Sequence, residues 1–264
     1  MSTQNTEVRL SAGGTRVTFE PERGCAIASI EVGGTELLAR PAFVMAPWCG
    51  RTDHGRFRAG ADTHQLPVNE PPHALHGFAR DGRWRTVSAD ERAAAFLWAL
   101  GDPWPWSGTV THLAELAEDG ASLTLTLGVE AASDSFPAQA GWHPWFRRTL
   151  APGGPSARVE FDPAWQEERG ADHLPTGRRV DPRPGPWDDC FGMPDGVDVT
   201  LTWPGELAVR VTSRAEWVVL YDEEEDAVCV EPQSGPPNGL NTHPRLVTPI
   251  APLEITTTWS WRRP

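Results

Sequence analysis

The chain of 264 residues has 36 acidic and 23 basic side chains, a formal charge of −13, and 39% apolar residues. This is folded-globular composition rather than that of a disordered chain, and the acidity argues against a nucleic-acid or anionic-membrane surface built on clustered Lys and Arg. Residues 1–10 contain no basic segment leading into an apolar run, and no apolar stretch approaches the roughly 18 residues needed to span a bilayer, so a soluble, unexported, cytoplasmic protein is expected.

In chain order, short runs with alternating or β-branched character recur at 15–19, 26–32, 122–131, 157–161, 197–203, 207–212, 217–221, 228–231 and 253–261. The clearest is 122–131, where Leu123, Leu125, Leu127 and Val129 alternate with Thr124, Thr126, Gly128 and Glu130, a period of two that puts one face in a core. Gly, Pro, Asp and Asn clusters separate the runs, and 25 Gly with 26 Pro leave few windows for a capped amphipathic helix. Segments 151–156 and 175–187 read as surface loops, and the acidic run Asp222–Asp226 reads as a hairpin tip. The pattern predicts an all-β chain, antiparallel sheets packed as a sandwich, in a single domain over 1–264. The 23 basic residues are all arginine, read as a bias of the source.

Four cysteines, at 25, 49, 190 and 229, form no Cys-x-x-Cys pair, so reduced, buried thiols are expected rather than a zinc ribbon or redox motif. His73 and His76 are spaced His-x-x-His, but Pro71 and Pro72 disfavour the helix that would align the two rings, and no metal site is assigned. The 13 Trp include Trp48, Trp142, Trp145 and Trp187 near the segments discussed next, where a ring could stack on a ligand's apolar face; most of the others read as core.

Three islands stand out: His76-Gly77-Phe78-Ala79-Arg80-Asp81, Gly141-Trp142-His143-Pro144-Trp145-Phe146, and Glu231-Pro232-Gln233-Ser234-Gly235-Pro236. Pro144 and Pro232 push His143 and Glu231 toward extended backbone, and Glu231 is expected at a strand's end. Two further patches are Pro47-Trp48-Cys49-Gly50-Arg51 with Gly55-Arg56-Phe57, and Trp187-Asp188-Asp189-Cys190-Phe191-Gly192. On the residues alone, His143 could equally be a core histidine, Glu231 a surface carboxylate and the arginines solvated.

In order and spacing the five patches resemble the aldose 1-epimerase (galactose mutarotase-like) family across about 17–255. The resemblance implies a large antiparallel β-sandwich (supersandwich) with a sugar site in an open cleft, and anomer interconversion without a cofactor. It implies Glu231 as base and His143 as acid, with His76, Arg51, Arg80, Trp145 and one of Asp188 and Asp189, Asp188 the better match, binding a small-molecule sugar. Ordinary values of about 4.3 for Glu and 6.5 for His predict a bell-shaped rate profile, acidic limb from Glu231 and basic limb from His143. Trp145 stands where many relatives have Tyr, and Ser234 where Thr is frequent. Alternatives are a hexose-6-phosphate 1-epimerase, with Arg51, Arg80, Arg178 and Arg179 clamping phosphate, a non-catalytic sugar-binding module, and a glycoside hydrolase, which would need a second carboxylate.

Overall fold

The computed structural model describes residues 7–264; the reading made on residues 1–10 therefore falls largely outside them. Two antiparallel sheets carry almost all of the regular structure. The larger, of 11 strands, runs Val8–Ala12, Thr15–Glu20, Ala26–Val32, Leu38–Met45, Gly141–Arg147, Ala227–Gln233, Trp217–Tyr221, Asp188–Gly192, Trp165–Arg169 and Pro175–Val180, with Thr35–Glu36 paired onto Ala26–Val32. The second, of 8 strands, runs Arg85–Ala89, Ala93–Leu100, Gly108–Leu116, Ser122–Ala131, Leu253–Arg262, Leu207–Ser213, Val197–Trp203 and Arg158–Glu160. Neither closes on itself, and one contiguous apolar cluster takes residues from both. Helix is confined to single turns such as Gly239–Thr242 and Ala79–Asp81.

The predicted alternation holds where it was clearest: Leu123, Leu125, Leu127 and Val129 are fully buried, and Thr124 and Thr126 bond across the opposite face to Thr258 and Thr256. Three readings need correction. Pro175–Val180 is a strand, not a loop; it lies at the sheet's edge, where proline at a first position costs no ladder bond. Several strands escaped the sequence pattern, among them Ala93–Leu100, with its alanine run, and Trp165–Arg169, which is mostly polar. Most important, Glu231 is not at a strand end. The strand continues through Pro232 to Gln233, because the missing proline amide falls at a gap in the ladder toward Gly141–Arg147.

Register turns this sheet into a grid. Gly141 faces Gln233 and Trp145 faces Cys229, a register that sets His143 directly across from Glu231. Extended sideways, one row reads Phe43, His143, Glu231, Val219, Cys190, and the next Arg40, Trp145, Cys229, Tyr221, Asp188. The intervening residues Trp142, Phe146, Val228, Val230, Val218, Leu220 and Phe191 point to the other face and join the core. The chemistry-bearing face of the large sheet is thus the side its core residues leave free.

Loops fold over one side of this face. His76 and Gly77 have φ of 63° and 69°, and Phe78 and Ala79 both donate their amides to the Ala46 carbonyl. A Cβ on Gly77 would sit 2.1 Å from that oxygen. Gly77→Ala therefore combines left-handed strain, roughly 1–2 kcal/mol for an L-residue, with a displaced backbone, and should lower Tm by more than about 4 °C. Gly14→Ala, also at positive φ but with nothing within 4 Å, bears the strain alone. Thermal melts in which the two variants match would refute the close-packing argument.

Candidate active site

A cleft of about 560 Å³ opens on the grid. His143 and Glu231 form its floor, 6% and 2% exposed, with His143 Nε2 3.3 Å from Glu231 Oε1. The imidazole lies nearly parallel to Phe43 at 4.5 Å and to Trp145 at 4.6 Å, and His76 meets it edge-on at 5.2 Å. Arg80 is held over the Phe43 ring at 4.5 Å. Phe43 on the neighbouring strand and Trp145 two residues along the same strand thus fix the ring plane of His143, and packing on those rings limits its rotation.

The walls come from distant segments. Arg51 pairs in a short ladder with Leu75, the His76 amide donates to the Gly50 carbonyl, and the Asn238 amide donates to the Arg51 carbonyl. Buried Gln139 braces this corner, accepting from the Cys49 amide and donating to the Pro236 carbonyl. Opposite, Arg169 donates to Asp188 at 2.8 Å and stands 3.5 Å from Asp189, while His173 lies 3.4 Å from Asp188. Tyr221 donates to Glu224 across the rim.

All the site residues named from the sequence line this cleft: His143, Glu231, Arg51, His76, Arg80, Trp145, Asp188 and Asp189. Of the four tryptophans offered for stacking, only Trp145 does so. Trp48 and Trp142 are core, the latter donating to His112, and Trp187 donates to the Arg183 carbonyl away from the cleft. Arg178 and Arg179 are not among the lining residues; they engage Glu168 and Glu167, so only Arg51 and Arg80 remain of the four-arginine clamp. His73 faces away from His76, its Nδ1 accepting from the His54 amide and its Nε2 bonded to the Asp172 carbonyl. The sequence reading missed Phe43, Arg169, His173, Tyr221 and Gln233. A period-two count outward from His143 and Glu231 would have flagged Gln233; the others depend on strand order.

Burial reverses the protonation expected from ordinary values. It pushes the Glu231 carboxyl well up, with Asp188 adding to the rise and Arg51 opposing it, and pushes His143 down to about 3, with Arg80 adding to the fall. His76 is also driven down, by burial first and then by His143, Arg80 and Arg51. Both shifts act the same way, disfavouring a carboxylate beside an imidazolium and favouring a protonated carboxyl beside a neutral imidazole, the reverse of the sequence reading. His112 marks the difference from a structural histidine. It too is pushed down to about 3 by burial, but both its ring nitrogens are engaged, by Trp142 and Cys25, whereas His143 Nδ1 and His76 Nδ1 have no partner among the described residues.

The open, two-sheet antiparallel sandwich is a fold shared with solved galactose mutarotase-like proteins. A galactose mutarotase-like protein from Clostridium acetobutylicum superposes with a TM-score of 0.84 at 16% identity, covering 97% of this chain and 95% of its own. One from Lactobacillus casei does so with a TM-score of 0.82 at 17% identity, covering 97% and 100%. The chain belongs to the aldose 1-epimerase family, whose pattern it matches over residues 6–225. It is also 26% identical over 262 residues to the uncharacterized protein YihR of Escherichia coli, covering 90% of this chain and 82% of that one.

A carboxyl whose folded pKa lies above its unfolded value costs stability as pH rises from the unfolded value through the folded one. Glu231→Gln removes that cost, so its melting temperature should exceed wild type by more at pH 8 than at pH 4, about 2–4 °C for each kcal/mol recovered. Equal melting temperatures at pH 8 would mean Glu231 is not penalised by burial.

Proposed function

We propose that the protein interconverts the α and β anomers of a free aldose by opening and reclosing the sugar ring, with no cofactor. The observation that carries this reading is the buried 3.3 Å contact of His143 with Glu231 at the cleft floor. Ring opening needs a base at the anomeric hydroxyl and an acid at the ring oxygen, two atoms on the same carbon. Two adjacent groups sharing one proton can serve both. The reacting form has Glu231 as carboxylate and His143 as imidazolium. As Glu231 takes the hydroxyl proton and His143 gives one to the ring oxygen, the bond from anomeric carbon to ring oxygen breaks and the aldehyde forms. Both side chains end neutral, and rotation of the aldehyde followed by the reverse transfers closes the other anomer.

The neutral pair left by opening is the arrangement that burial favours in the resting site. Desolvation thus places the ion-paired form above the neutral one, a cost met before opening and returned as the ring opens. His76, Arg51, Arg80, Asp188 and Asp189 would hold the hydroxyls, with Arg51 and Arg80 donating forked hydrogen bonds. Trp145 offers an apolar ring edge. A phosphorylated aldose is the second reading. It draws on Arg51, which makes no ion pair among the described residues, and on Arg80, whose nearest carboxylate is 4.0 Å away.

Exchange-transfer NMR or polarimetry over neutral and 6-phosphorylated aldoses tests both. Accelerated exchange of neutral sugars supports the first reading, acceleration confined to phosphorylated ones the second, and none with any sugar that of a binding module. His143→Asn should reduce kcat by roughly 10²–10⁴-fold while sugar binding persists; near wild-type exchange would remove His143 from the acid role.

The pH profile should be bell-shaped with limbs opposite to those predicted from ordinary values. The active window requires one proton on the pair. The acidic limb follows protonation of His143, near pH 3, and the alkaline limb follows loss of the raised Glu231 proton. A kcat profile that falls below pH 6 with the ordinary pKa of an exposed histidine would contradict this.

A further inference from the structure

The proposed chemistry uses His143 and Glu231 but leaves a third group beside them unexplained. Cys229 lies two residues before Glu231 on the same strand and opposite Trp145 in the register, on the cleft-facing side of the sheet. Its Sγ, an imidazole nitrogen of His143 and a carboxylate oxygen of Glu231 all lie within 4.8 Å of one another, and all three residues are buried. The thiol is free.

We propose that His143, Cys229 and Glu231 form an inhibitory binding site for Zn²⁺ at the floor of the cleft. The ligand set is one zinc takes: an imidazole nitrogen, a thiolate and a carboxylate oxygen, with bonds of about 2.0–2.1 Å to nitrogen and oxygen and about 2.3 Å to sulfur. At tetrahedral angles such bonds hold nitrogen and oxygen roughly 3.4 Å apart, and His143 Nε2 and Glu231 Oε1 already stand 3.3 Å apart. The thiol sulfur lies within 4.8 Å of both. The cleft reaches His143 and Glu231, which gives the ion a route in and leaves the fourth position to water. Binding releases the thiol proton, and the carboxyl proton where present, to solvent. No redox step is involved.

The occupant follows from the donors. A thiolate and an imidazole favour zinc over the oxygen-seeking Mg²⁺ and Ca²⁺. Residues Asp53, His54 and His73 form a second cluster of ligand-type side chains, but both His73 nitrogens are already engaged by backbone groups. The consequence for catalysis is direct. A zinc ion on the Nε2 and carboxylate that move the proton blocks both, so it inhibits instead of activating. Inhibition rests on the proposed epimerase reading; metal binding does not, and the two can be measured separately.

The test is titration of the metal-free protein with Co²⁺, read by absorbance, and with Zn²⁺, read by calorimetry. One equivalent of Co²⁺ should give a thiolate-to-metal charge-transfer band in the near ultraviolet that Zn²⁺ abolishes by displacement. Cys229→Ser, which keeps the side-chain volume, and Cys229→Ala, which removes the donor, should both lose the band, with melting curves confirming that each is folded. His54→Ala should keep it. In the anomer-exchange assay, zinc should lower the rate of the wild type at least tenfold, chelation should restore it, and the Cys229 variants should turn over unchanged and resist zinc. Absence of the band, or its persistence in both Cys229 variants, overturns the site whether or not the protein proves to be an epimerase.

Discussion

The rest of the site depends on one placement: an imidazole and a carboxylate side by side in the middle of an 11-stranded sheet, nearly out of reach of water. Desolvation penalises the charged form of each, which biases the pair toward a neutral imidazole beside a protonated carboxyl. A lone carboxylate in such surroundings would be a plain liability. Beside a neutral imidazole it becomes half of a proton-transfer couple that ring opening returns to its neutral state.

That placement is a product of register. Because side chains alternate along every strand, the same pairing that drives Trp142, Phe146, Val228 and Val230 into the core lifts His143, Trp145, Cys229 and Glu231 onto the open face. A slip of one residue between these two strands would exchange the sets and bury the polar row against the second sheet. The core thus specifies the site: its apolar residues hold the register, and the register sets His143 against Glu231. Loops then add what the sheet lacks, through short backbone links among Gly50, Arg51, Leu75, His76 and Asn238 and the buried Gln139 brace.

Much of this was legible in the sequence, and the part that was not has a common cause. The all-β class followed from period-two runs such as Ser122–Ala131, and the site residues from the family resemblance carried by islands around His76, His143, Asp188 and Glu231. What failed was anything decided by strand neighbours. Pro232 looked like a terminator, yet its strand runs on because it stays paired with Val218 on one side while the ladder toward Trp142 on the other is open there. Arg169 sits on a polar strand with no apolar signature and earns its place by facing Asp188 two chain segments away. The protonation of the pair was inverted for the same reason, since ordinary values describe groups in water, and only the packed sheet reveals that neither is.

The claim that the buried pair rests neutral can be tested without any sugar. Infrared difference spectroscopy of wild type against Glu231→Gln at pH 7 isolates the Glu231 carboxyl, and ¹⁵N shifts of the His143 ring report its charge in the same protein. A protonated-carboxyl carbonyl band present in wild type and missing from the variant, with a neutral His143 ring, is the predicted result. A symmetric carboxylate band for Glu231 together with a doubly protonated His143 would contradict it.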